Sequence, residues 1–438
     1  MVSAIDSVIT ASAFSHSEVA ELFSDEEEVK ALIKVEQELA RIQSALNIIP
    51  NELGQEIVTK LDTVNVDLES LAAGFAQDGI AIPGLLAQLR AQIDSPAKDF
   101  LHFGATSHDI LDTALVIRIK AATAIIDKDL AELNSELGAL AIKHKSSIML
   151  GRTRNQNAAP IVFGLKVANW LAPLQRQRQR LKELRPRLLV VQFGGAVGTN
   201  AALGEGGQKV NTALAEVLDL NPTAAPWHVQ RDAIVEFGNW LSLTASVIGK
   251  MAQDILLMAQ SEIGEISFTD TGKSSTMPNK SNPVQAETLV SLAIFCRSQA
   301  DLLSQSLSAS HERDGVSMHI ERLAFPQLIC AAAAAVSQGI SCINTMQVNQ
   351  QAMVDNLQAD NGRVLAEAAV FTLSKAMAKA EASSLVAKAC NASLSKHTHM
   401  LDELQRICSA AIDWESLKRP ENYLGSAEET IKKVLANN

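Results

Sequence analysis

At 438 residues the chain has room for about three domains. Hydrophobic residues make up 47% and aromatics only 4%, so the core must be largely Leu, Ile, Val and Ala, which suits packed helices better than a β-sandwich. A formal charge of −11 leaves nothing basic to neutralise phosphates in bulk. It therefore argues against a nucleic-acid partner and requires any anionic substrate to be met by a local cluster of Arg and Lys. The five cysteines, Cys296, Cys330, Cys342, Cys390 and Cys408, are scattered and lack metal-like spacing, so they read as reduced thiols of a cytosolic protein. The first residues carry no basic region, and no run of eighteen apolar residues occurs. The expectation is a soluble, cytoplasmic chain with no signal peptide and no membrane span.

In chain order, Ser24 followed by Asp25, Glu26, Glu27 and Glu28 opens a helix with a capping residue and acids in the first turn. Its stripe is Val29, Leu32, Ile33, Val35, Leu39 and Ile42, and Pro50 is expected to stop it. A break follows at 77–83. Polar residues at 101–113 then precede a long seam of Leu115, Ile119, Ala122, Ile126, Leu130, Leu133, Leu137 and Leu140, which predicts a long helix. A polar turn at 151–160 leads to a second helix expected to end at Pro186. The run 188–199 reads as an extended turn or a helix entry. A third helix carries Ile234, Phe237, Leu241, Ala245, Ile248, Ala252 and Ile255, and a fourth runs from Pro283 to about Leu307. The fifth spans about His319 to Thr345 with Pro326 inside it. These elements predict an all-α fold: an N-terminal helical domain at 1–111, a central bundle of five long helices at 112–350 and a C-terminal helical domain at 351–438. Helices longer than one core requires predict a homo-oligomer.

Four polar turns mark helix boundaries: 102–109 (HFGATSHD), 151–160 (GRTRNQNAAP), 226–232 (PWHVQRD) and 271–283 (TGKSSTMPNKSNP). Gly272 and Pro278 keep the last of these irregular, and polar loops held between rigid helices are where chemistry usually sits. Thr106 and Ser107 put hydroxyls beside the free N–H groups of a helix start, a good carboxylate site, although Ser107 or Asp109 is equally suited to plain capping. Arg154 stays protonated, which makes it a poor proton shuttle and a good carboxylate clamp. Trp227 with the Arg231–Asp232 pair is, taken alone, a structural arrangement.

Taken together these strings resemble the fumarase/aspartase superfamily. SSTMPNKSNP is similar to its S-S-x-M-P-x-K-x-N loop, HFGATSHD to H-x-G-x-T-S-x-D, and GRTRNQNAAP to G-R-T-x-x-Q-x-A-x-P. Across 23–40, 185–204, 226–237 and 421–429 the chain looks most like the branch that lactonises 3-carboxy-cis,cis-muconate. HERD at 311–314, followed by Glu321-Arg322, resembles the adenylosuccinate lyase branch instead. The resemblance implies an all-α homotetramer with sites shared between subunits, no metal or organic cofactor, and a small di- or tricarboxylate substrate. It implies Ser274 as the base and Lys280 as its catalytic partner. It makes His102, Thr106, Ser107, Arg152, Thr153, Arg154, Gln156, Arg231, Ser275, Met277, Asn282 and Arg313 substrate-binding. The implied activity is cycloisomerisation to 4-carboxymuconolactone in aromatic degradation. The alternatives are a C–N lyase of adenylosuccinate or argininosuccinate type releasing fumarate, another dicarboxylate lyase of the superfamily, and a catalytically silent structural relative. This chain departs from the family at Lys273, where glycine is usual, at Asn279 and Ser281, where the muconate branch tends to have His and Arg, and at Arg154, where many C–N lyases have His.

Overall fold

The computed structural model describes residues 3–269, 272–273, 276–277 and 280–436. The fold is all-α. Its longest helices are Ser107–Lys143, Phe163–Leu188, Asp232–Met258, Val284–Ser304 and Gly315–Thr345. Strands are confined, among the described residues, to three antiparallel pairs. Packing divides the chain into two compact units: 1–130, 177–246 and 291–337 form one, and 131–176, 247–290 and 338–438 the other. This is a different division from three consecutive domains, because each of the five long helices contributes residues to both units.

Ser24 caps the helix Asp25–Ala45 by accepting from the Glu27 N–H at 3.2 Å. The helix ends five residues before Pro50, which instead precedes the next helix, Asn51–Leu61. Its stripe of Leu32, Val35, Leu39 and Ile42 is buried in one cluster with Leu85, Leu89, Ile110, Ala114, Val210 and Leu214. Val210 and Leu214 come from the helix Gly206–Leu218, which the sequence reading did not anticipate. The run 188–199 forms neither strand nor helix beyond Leu188; a single bridge joins Val190 to Asn221. In the same unit Phe237 stacks on Trp240 at 5.6 Å and tilts against Phe325 at 5.9 Å.

In the second unit the polar turn at 151–160 proves to be a hairpin of Ile148–Thr153 and Gln156–Val162. Thr153 pairs with Gln156, so Arg154 and Asn155 make a two-residue loop, with φ of 49° and 63°. Positive φ at both loop residues is what a type I′ turn requires. Pro186 does not end the helix that follows, which continues to Leu188. Gly164, the second residue of that helix, leaves no room for anything larger: a Cβ there would lie 2.6 Å from the Ala141 carbonyl and 2.8 Å from the Lys145 Cα. The C-terminal helices bury Leu357, Leu365, Leu373, Val386, Leu401 and Leu404 together with Leu150 of the hairpin. Asp232–Met258 and Gly315–Thr345 are long and apolar enough to cross a membrane by length and composition, and 56% and 72% of their most apolar windows are buried inside the protein.

Gly164→Ala should lower stability by about 1–3 kcal/mol, since backbone cannot yield as a flexible side chain does. Urea unfolding checks this; an unchanged midpoint would mean that the helix start shifts at no cost.

Candidate active site

The first unit builds one polar cluster around Asp109. This residue is the third of the helix Ser107–Lys143, and its carboxylate reaches back to accept the Thr106 N–H at 3.0 Å. That is the reciprocal half of a capping box, available because a carboxylate stands three residues after the N-cap. The same carboxylate accepts the Gly194 and Gly195 N–H groups, each at 2.9 Å, and lies 2.8 Å from His228 Nε2. One buried side chain thus joins three of the segments singled out in the sequence: the helix start, the glycine-rich run and the 226–232 turn. Gly195 has a φ of 68°, which favours glycine at that point of the loop.

A second knot lies beside it. Every N–H of Arg231 is taken up by Asp112, Glu321 and the Trp227 carbonyl, at 2.5–3.5 Å. Burial opposes the charge of Arg231, but the two carboxylates outweigh it and its pKa rises. The guanidinium therefore holds three elements together and keeps no donor for a ligand. His108 is buried, with Nδ1 lacking a partner, and faces a small cavity of about 100 Å³ that Arg231, Asp112 and Phe325 also line. Burial and the nearby charges of Arg313 and Arg231 pull its pKa down to about 4, so its ring is neutral at physiological pH.

Arg313, from the HERD segment, donates to Thr106 Oγ1 at 2.5 Å and to the Gly195 and Ala196 carbonyls. Among the described residues no carboxylate pairs with it. The Ser107 and His108 N–H groups begin the helix and so have no acceptor within it. Thr106, half-buried Ser107 and Arg313 thus converge on a helix N-terminus whose dipole favours an anion. His102 precedes this turn with a φ of 65°, and its Nδ1 lies 2.6 Å from Glu36.

The second unit holds the other candidates. Arg152 makes a bidentate pair with buried Glu265, at 2.9 and 2.7 Å, and Asn356 reinforces Glu265 at 3.1 Å. Thr153, Arg154 and Gln156 are exposed at the hairpin tip. Asn282 is half-buried and its strand pairs with Gly272; Lys280 and Met277 are exposed. Ser274 and Ser275 lie outside the described residues.

Sequence reasoning missed Glu36, Asp112, Glu321 and the central place of Asp109. Only Asp109 left a local signal, the T-x-x-D spacing at a helix start. The others act across 66 to 119 residues of sequence.

The lyase family's signature matches residues 7–296, and the chain belongs to this family, within the fumarase/aspartase superfamily. A 3-carboxy-cis,cis-muconate cycloisomerase of Pseudomonas aeruginosa is 36% identical over 95% of this chain and 93% of its own. Among solved structures, a 3-carboxy-cis,cis-muconate lactonizing enzyme from Pseudomonas putida superposes with a TM-score of 0.90 at 33% identity, covering 97% of each chain. A fumarate lyase from Mesorhizobium sp. BNC1 gives 0.91 at 33% identity, over 97% of this chain and 99% of that one.

Arg231→Leu should cost about 3–5 kcal/mol, because it leaves two carboxylates buried without a cation. Unpaired burial raises their folded-state pKa values, so the variant should regain stability relative to the parent as pH falls and they protonate. Denaturant midpoints across pH check both; a loss below 1 kcal/mol would mean that water reaches the acids.

Proposed function

We propose that the chain is a 3-carboxy-cis,cis-muconate cycloisomerase acting in aromatic-acid degradation. The carrying observation is the anion site at the start of Ser107–Lys143. There Thr106 and Ser107 meet Arg313, a cation with no acid partner among the described residues, in a chain that matches a cycloisomerase along nearly its whole length. In the closing direction, a carboxylate oxygen of the substrate bonds to a diene carbon. The displaced π pair moves to the carbon α to another carboxylate, which becomes an aci-carboxylate until that carbon takes a proton. Fixed donors aimed at developing charge lower such a barrier most. Thr106, Ser107 and Arg313 supply them on one carboxylate, with Lys280 and Asn282 assigned to another. Arg313 donates into one lone pair of the Thr106 oxygen, and the hydroxyl proton remains able to turn towards the ligand. Ser274 exchanges the α proton, as base in the opening direction and as acid in closure.

The C–N lyase reading is weaker. Arg154 replaces the expected imidazole. Arg322, of the Glu321-Arg322 pair that follows HERD, pairs with Glu28 at 2.6 Å and stacks over Phe75. Arg313 likewise serves the helix start rather than a nucleotide phosphate. The assembly we propose is a homotetramer with sites shared between subunits. A cytoplasmic setting is supported by Cys296, Cys330 and Cys342, free and buried thiols whose pKa values burial pushes up to about 12.

Mixed with 3-carboxy-cis,cis-muconate, the protein should remove the diene's ultraviolet absorbance with lactone as product; no loss would overturn the reading. Ser274→Ala should lower turnover by about 10²-fold or more. Arg313→Met should raise KM roughly tenfold or more, as loss of a charge-assisted hydrogen bond predicts.

A further inference from the structure

Beside the anion site stands a pair of groups that the roles above leave unexplained. Glu36 lies in the middle of the helix Asp25–Ala45, and its side chain has no exposed surface. One carboxylate oxygen meets His102 Nδ1 at 2.6 Å; the other is buried with no partner at all. A carboxylate so placed is costly unless a cation faces it, and the imidazole is the group that can supply the charge. The bond to Nδ1 leaves Nε2 as the ring's remaining polar atom, on a side chain that keeps 12% of its surface open.

The backbone is shaped to make this contact. His102 holds a φ of 65°, a conformation that residues other than glycine rarely adopt and that structures retain where surrounding contacts impose it. The turn is pinned on both sides: Gln43 donates to the Phe103 carbonyl at 2.7 Å and Arg90 to the Leu101 carbonyl at 3.3 Å. Gln43 and Glu36 lie two turns apart on one helix, so that helix fixes both the turn's backbone and the imidazole's charge.

We infer that Glu36 is a positioning residue that keeps His102 as an imidazolium, with Nε2–H donating to the substrate carboxylate bound at Thr106 and Ser107. His102 then carries the third positive feature of that site, beside Arg313 and the helix dipole, and opposes the charge of the aci-carboxylate. In this role the pair acts as a fixed cation rather than as an acid. The charged groups facing His102 are Glu36 from its own helix, Asp109 from Ser107–Lys143 and Arg90 from Ile82–Ala91. Burial lowers the imidazole's pKa and Arg90 does the same, but Glu36, with a smaller part from Asp109, outweighs them and the value is raised.

The sign of the pH dependence follows. His102 is charged below its raised pKa, so an anionic ligand is held tightly there and loosens as pH rises through that value. Without the Glu36 charge the imidazole titrates lower, and the loosening begins at lower pH. The inference rests on the proposed carboxylate site, and the test separates the two. Calorimetry would measure binding of tricarballylate, an unreactive tricarboxylate, between about pH 6 and 9, where its own carboxyls are ionised. In Glu36→Gln, whose amide oxygen still accepts from Nδ1–H, the decline should move to lower pH, so that binding at the parent's midpoint is several-fold weaker. In His102→Asn the decline should vanish. A curve for Glu36→Gln that overlays the parent's, or a decline that survives in His102→Asn, would overturn the inference even if lactone forms. Tricarballylate binding that shifts as described in a protein that leaves 3-carboxy-cis,cis-muconate untouched would uphold the pair and overturn the substrate instead.

Discussion

Asp109 is the side chain on which the site-bearing half of the structure depends. Its carboxylate is buried, and it is tolerated there because four donors from three segments converge on it: the Thr106, Gly194 and Gly195 amides and the His228 ring. Each donor fixes something different. The Thr106 amide sets where the helix begins. The two glycine amides tie the 188–204 run to that beginning. His228 brings in the turn that carries Arg231. A buried charge is expensive alone and stabilising only when every lone pair is met, so these segments adopt one arrangement or lose it together.

The arginines divide into two kinds by what surrounds them. Arg231 and Arg152 face carboxylates in bidentate geometry and are internal fastenings, although both occupy positions where the family resemblance placed ligands. Arg313 and Arg154 have no acid opposite them among the described residues, so their charge is available to something from outside. In a chain of net charge −11 an arginine that lies beside a helix N-terminus with no acid opposite it, as Arg313 does, is informative.

How much of this the sequence disclosed follows from the range of the forces. Helices with a clear apolar stripe were legible because burial imposes a local period: Leu32, Val35 and Leu39 in one, Ile119, Ile126 and Leu133 in another. The hairpin at 148–162 was read as a turn because its strands are short and its polar tip resembles any connector. Pro50 and Pro186 misled as helix ends because proline forbids one hydrogen bond and leaves the exact terminus to packing. The anion site was half legible. Thr106 and Ser107 sit beside a helix start that the sequence announces, whereas Glu36 meets His102 across 66 residues, and no local pattern encodes that contact.

The hairpin tip has a consequence for how this scaffold changes its chemistry. Arg154 occupies a two-residue loop whose backbone is set by the turn itself, with its side chain outside any core. Exchanging that side chain disturbs no packing, provided that the newcomer tolerates a left-handed backbone. Asparagine, aspartate, histidine and unbranched residues do so far better than valine or isoleucine. The position is therefore an open socket in an otherwise close-packed protein. Charge at this tip can therefore change, for instance from arginine to histidine, without disturbing packing within the chain.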